Sequence, residues 1–442
     1  MTNSGTGSSN AGTINALDND GGTFSNTGTV TTTTTVDGGT VTNSNIMTGL
    51  ATVNGGTLSS SGTLTAGANN NAGGTLNITG GTSGAVTNAG TLGLSGGTTA
   101  SVTQSAGSTT VAGNATVTGL TDINGGSLTV NAGQTLTATG GLDIANGLTS
   151  TINGTVNTGA ASDISGTVNG TGTLNVTAGA TTVAASGNVG ANMTVASGAS
   201  VTNDGTVAGV GNAGTFTNNS GAGAVTNTGA LVLNGGSTTA SILQNTEAGA
   251  TTSVDGAASV TGLIDIDTGT LTVTGPNTLT ATGGVDIAAA AALTVQAGAE
   301  IASGTITNAS TAGSTNNGTV GAVTNTGTFT NTNIAGAVSN SGTFGNTGTV
   351  ASLINSGGEF TNTAGTITGT ASVTGGTLDM DGGTAGATTN SGGVVELSGG
   401  AVMASLTQSG GVLTTIDGPA TVTGLTNITT GTLDVQSGQT LT

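Results

Sequence analysis

The side chains able to do chemistry in this 442-residue chain are almost all carboxylates: 19 Asp and Glu stand against no Lys, Arg, His or Cys. That inventory removes imidazole bases, thiolate nucleophiles and every zinc site built on His or Cys. Paired acids remain. In Asp265-Ile266-Asp267 and Asp379-Met380-Asp381 two carboxylates stand two positions apart. On a strand each pair shares one face at roughly 7 Å, a workable spacing for glycoside hydrolysis. Asp18 and Asp20 form a further pair. Asp and Asn oxygens also suit a hard cation, so Asp18, Asp20, Asp265, Asp267, Asp379 and Asp381 are the candidate metal ligands, with Ca2+ the fitting ion. The Gly-Gly-x-Gly-x-Asp nonapeptide of calcium-binding β-rolls does not occur.

Internal comparison weighs against catalysis by these pairs. Asp265 and Asp267 correspond to Asp122 and Asn124 in an earlier copy of the same segment, and to Asn427 and Thr429 in a later one. Sugar-cleaving sites also add aromatic platforms and basic groups, and this chain has no Trp, Tyr or basic side chain. The expectation is a non-enzymatic protein whose scattered acids confer solubility.

A formal charge of −19 makes nucleic acid and anionic membrane poor partners, because both are held chiefly by Lys and Arg. No apolar run reaches the roughly 18 residues a membrane-spanning helix needs; the most apolar stretch, residues 287–295, is short and mostly Ala. Met1-Thr2-Asn3-Ser4-Gly5 has neither a basic nor an apolar region, so no signal peptide is visible. Lack of Lys and Arg removes every trypsin site, which suits an exposed extracellular protein. Lack of Cys excludes disulfides and leaves the redox compartment open.

The elements that carry these residues follow from composition and repeats. With 85 Gly and five Phe, the chain cannot fill a globular core at crystal-like density, so its core must be thin. Disorder usually combines low hydrophobicity with abundant charge or Pro. Here only 4% of residues are charged, two are Pro, and β-branched residues recur regularly, which favours strands.

The clearest period lies in residues 323–362. Val323-Thr324-Asn325-Thr326-Gly327-Thr328-Phe329 recurs one period later as Val338-Ser339-Asn340-Ser341-Gly342-Thr343-Phe344, and again with one insertion as Ile354-Asn355-Ser356-Gly357-Gly358-Glu359-Phe360. Asn325, Asn340 and Asn355 then form one register, and Phe329, Phe344 and Phe360 another. Elsewhere the step is looser and a little longer, as from Phe24 to Val41 and from Val41 to Leu58. Such a period predicts an all-β, single-stranded parallel β-helix (β-solenoid) of about 15–20 residues per coil, with coils stacking about 4.8 Å apart. Asn and Gly suit the bends, and stacked Asn amides can hydrogen-bond as a ladder. Alternation as in Thr270-Leu271-Thr272-Val273-Thr274 sends apolar groups inward and hydroxyls outward.

A longer repeat is superimposed. Ala115-Thr116-Val117-Thr118-Gly119-Leu120 returns at Ala258-Ser259-Val260-Thr261-Gly262-Leu263 and at Ala420-Thr421-Val422-Thr423-Gly424-Leu425. The expected organisation is one continuous solenoid over 1–442, with long repeats at approximately 1–95/96–147, 148–234/235–290 and 291–398/399–442. At about 17 residues per coil this gives roughly 26 coils, on the order of 120 Å. Both ends stop inside the pattern, so the chain is expected to be a segment of a longer protein or to stack head to tail on copies of itself.

The Thr-Asn-Thr-Gly-Thr-Phe/Val units, as at Thr324 to Phe329 and Asn346-Thr347-Gly348-Thr349-Val350, resemble passenger and stalk regions of large bacterial surface proteins, the autotransporter adhesins and filamentous-haemagglutinin-like exoproteins. The likeness covers essentially the whole chain and is compositional and periodic. It implies a right-handed β-helix, export to the cell surface, and roles in attachment or biofilm matrix, with self-association and carbohydrate or cell-surface ligands as partners. The signal peptide and C-terminal membrane barrel usual in those families are missing. The alternative functions are divalent-cation binding at the paired acids and ice binding, which Thr31-Thr32-Thr33-Thr34-Thr35 and the many Thr-x-Thr units permit; variable coil length argues against one flat, lattice-matching face.

Overall fold

The computed structural model of the chain describes residues 1–244, 249–410 and 413–442. These residues contain no helix; strands make up 62% of the chain, all pairings are parallel, and stacked coils about 18 residues apart complete about 24 turns. The expected β-solenoid is the observed fold. Two compact units divide it, Met1–Gly223 and Ala224–Thr442.

In the N-terminal unit each coil contributes a strand or strand segment to each of three faces, Thr82–Asn88, Thr98–Gln104 and Thr206–Asn212 each serving two. Thr2–Asn3, Ser8–Asn10 and Thr13–Ile14 begin the first, second and third faces, and each pairs with its counterpart in the next coil: Leu17–Asn19, Thr23–Asn26 and Thr29–Val30. The residues of Thr23–Asn26 alternate exposed, buried, exposed, buried, so period-2 geometry turns Phe24 inward and Thr23 and Ser25 outward. Phe24, Val41, Leu58, Leu76 and Leu92 lie in one register and are at most 2% exposed. Each thus covers the apolar surface of its neighbours, at about 25 cal/mol per Å2 removed from water. The core is this seam, one side chain deep per strand.

Gly-Gly corners allow the coils to approach so closely. Gly22 and Gly39 have φ of +65° and +64°, a left-handed conformation open to Gly. A Cβ on Gly22 would fall 2.0 Å from the Gly5 carbonyl oxygen, and one on Gly39 2.2 Å from that of Gly22.

The sequence period reads the coils slightly short. The step between registered partners is small from Asn325 to Asn340 and much larger from Thr129 to Thr151. Extra residues fold outward at corners instead of shifting the strands. In the coil leading to Thr151, the Gln134 amide closes back on the Asn131 carbonyl and that of Leu148 on Ala145, while Val130 and Ile152 remain partners. Longer coils mean fewer of them than the short period implies.

The C-terminal unit uses the same three-strand coil. Val323, Val338 and Leu353 stack in register, as do Phe329, Phe344, Phe360, Leu378 and Val395. Longer strands here run through corners, with a register shift between Ile266 and Thr268 where Ile264–Val273 pairs with Val285–Val295.

Candidate functional site

The predicted Asn and Phe registers are real columns. Asn308 Nδ2 donates to Asn325 Oδ1 at 2.7 Å, Asn325 to Asn340 at 2.8 Å and Asn340 to Asn355 at 2.8 Å. All four are buried. A second ladder runs beside it through Asn316, Asn331, Asn346 and Asn362, at 2.7, 2.8 and 2.7 Å. The Phe329 and Phe344 rings stack with centroids 5.2 Å apart, Phe344 and Phe360 at 5.0 Å. The second ladder was missed from sequence, although Asn331 and Asn346 keep the same step as Asn325 and Asn340. Shorter ladders join Asn10, Asn26 and Asn43 in the N-terminal unit.

Among the candidate acids, Asp18 and Asp20 flank buried Asn19. A third carboxylate, Asp37, joins them from the next coil, and oxygens of the three lie within 4.8 Å of one another. The donor set suits a hard cation, but it is open to solvent, and Asp37 also accepts from Asn54 Nδ2 at 2.6 Å. Asn219 serves Asp204 in the same way, at 2.6 Å. In a chain without cationic side chains, amides of the adjoining coil supply the donors.

Asp265 and Asp267 sit on Ile264–Val273, with Ile266 buried between them; Asp379 and Asp381 flank buried Met380 on Ala371–Asp381. Both pairs therefore project outward as period 2 requires. They lie on different faces: Asp265 registers with Asp286, and Asp379 with Glu396. Like charges so placed stand about one strand spacing, roughly 4.8 Å, apart. Partial burial, then the charges of Asp381, Glu359 and Asp417, raise the Asp379 carboxyl above its ordinary value. Glu396 is raised by burial and then by Asp379, Asp417 and Glu359. Asp265 is raised by burial, then by Asp267 and Asp286.

A third stack, Asp122, Asp143 and Asp163, borders a depression of about 310 Å3 in the N-terminal unit. Burial is the main cause of the raised Asp143 carboxyl; Asp122 and Asp163 add to it, against a lowering hydrogen bond from the Asp163 amide. Neighbouring carboxyls on one face are the arrangement glycoside hydrolysis uses, yet all five Phe are buried, so no aromatic ring faces any of these acids to hold a sugar.

The second face of the N-terminal unit is of another kind. Its outward positions form two columns: Thr23, Thr40, Thr57, Thr75, Thr91, Ser108 and Ser127, and beside them Ser25, Thr42, Ser59, Asn77, Gly93, Thr110 and Thr129. Register is unbroken through these seven strands, although the coil from Leu76 to Leu92 is shorter than the one from Thr109 to Leu128. The run Thr31 to Thr35 lies elsewhere, with Thr34 buried.

Fold and surface together define a β-solenoid repeat protein whose interior carries Asn and Phe ladders and whose surface carries hydroxyl rows and stacked acids. Compared with known protein families, curated proteins and solved structures, the chain matches none. No helix among the described residues is long and apolar enough to cross a membrane.

Proposed function

We propose that this chain is a non-catalytic, extracellular structural or adhesive fibre segment, acting as a bacterial surface stalk, adhesin passenger or matrix filament. The observation that carries the reading is the register. Each coil commits its inward side chains, and at the ladders its amides, to the coils on either side, an arrangement that gives stiffness and surface area. Stacked acids keep the flanks hydrated and the segments soluble. Partners are then copies of the same chain, meeting end to end or side by side, and carbohydrate or cell-surface ligands.

The test is display of the chain on a non-adherent bacterium, with electron microscopy of the purified protein alongside. Adhesion to host cells or abiotic surfaces, or ordered filaments in the micrographs, supports the proposal. Polysaccharide cleavage by the purified chain, lost in Asp379→Asn or Asp265→Asn, would replace it with an enzyme.

A further inference from the structure

We propose that the second face of the N-terminal unit, over residues 23–130, binds ice. The observation is the lattice. Hydroxyls recur about 4.8 Å apart from coil to coil and about 6.6 Å apart between positions i and i+2 of each strand. Twelve of the 14 outward positions in the two columns are Thr or Ser, and seven successive strands keep register without a shift. Variable coil length, the objection raised by the sequence, does not reach this face, because additions are taken up at the corners.

Charge selects the occupant. No carboxylate projects from these seven strands. Within the unit the acids belong to the first face, as Asp18, Asp122, Asp143 and Asp163, or to the corner after it, as Asp20 and Asp37. An uncharged grid of hydroxyl and methyl groups complements an uncharged crystalline lattice of water, and offers nothing to an ionic partner. Hydroxyls on fully paired strands are also ordered before contact, which limits the entropy lost on binding.

Solubility alone does not require this grid. The strands that continue this register in the C-terminal unit place Glu300, Ala302, Ile334 and Val402 at outward positions, and they form the same solenoid. The uniform rows therefore single out one face of one unit.

The experiment uses the full chain in nanolitre osmometry and in ice-affinity partitioning. Wild type is expected to hold a growing crystal faceted below its melting point and to enter the ice fraction. Thr57→Lys with Thr75→Lys, and separately Thr42→Tyr, should lose most of the hysteresis gap while keeping a wild-type circular dichroism spectrum. Thr63→Lys with Thr82→Lys, on the third face, should leave the gap unchanged. Absence of faceting by wild type overturns the proposal, as does equal loss from second-face and third-face variants. Retention on crystalline cellulose that the second-face variants abolish, with no effect on ice, would also overturn it and assign the face to a polysaccharide.

Discussion

Asn325 donates through Nδ2 to Oδ1 of Asn340 at 2.8 Å, from one coil to the next, inside the core. Asn340 in turn donates to Asn355, and also to the backbone carbonyls of Gly342 and Glu359. Asn340→Ala removes all of these and leaves the Asn355 acceptor without its donor, while Asn325 Nδ2 keeps the Gly327 and Thr343 carbonyls. An orphaned buried group costs about 1–3 kcal/mol. The variant should unfold at clearly lower denaturant, with amide exchange accelerated first in the coils holding Asn325 and Asn355, since neighbours in a solenoid share stability locally.

Thr34 makes the opposite case. It is 1% exposed, registered between Leu17 and Ala51, and its buried hydroxyl has no hydrogen-bond partner. Thr34→Val exchanges that hydroxyl for a methyl of similar size and should stabilise the N-terminal unit by about 1 kcal/mol. A rise in denaturation midpoint is the expected reading; a fall would show that the hydroxyl is satisfied in solution.

Two glycines separate close approach from composition. Gly39→Ala puts a methyl against the Gly22 carbonyl at a positive φ and should cost more than the roughly 1 kcal/mol of a conformational penalty alone. Gly12→Ala, where a Cβ meets nothing within 4 Å, should be neutral. Melting curves of the two variants compare them directly.

Much of this was legible in the sequence, because residues 323–362 repeat at a nearly constant step and their Asn and Phe are distinctive side chains. The Phe column and the first Asn ladder follow from that step. Asp37 beside Asp18 and Asp20 did not follow, nor did Asp286 over Asp265 or Asp143 over Asp122. These acids meet only across a coil, and the coil from Asp18 to its partner Thr35 is shorter than those from Asp122 to Asp143 and from Asp265 to Asp286. Unequal coils hide such partners from any fixed spacing. The hydroxyl face was obscured for the same reason: strand register is kept while corner length varies.

Acid should stabilise this protein. Asp143, Asp265, Asp379 and Glu396 all hold their protons more tightly than the ordinary 3.8 of Asp or 4.5 of Glu. In the pH window from those ordinary values up to the raised ones the folded chain binds more protons than the unfolded chain, so stability falls as pH rises through it. Their contribution is complete below the ordinary values and lost above the raised ones. Melting temperature should therefore increase from pH 7 to pH 4, and Asp379→Asn with Glu396→Gln should raise the value at pH 7 and flatten the slope. A melting temperature that drops on acidification contradicts this.

Register is the premise of the whole account, and the absence of Cys makes it directly measurable with two introduced spin labels. Thr42 and Thr110 are remote in sequence, yet Thr42, Ser59, Asn77, Gly93 and Thr110 are successive partners in one column, four steps of about 4.8 Å. Double electron–electron resonance on Thr42→Cys/Thr110→Cys should give a narrow distance distribution centred near about 20 Å, the four-step separation widened slightly by the label arms. A broad distribution centred near about 60 Å, the scale of an unfolded segment of that length, would contradict the stacked coils and every surface built on them.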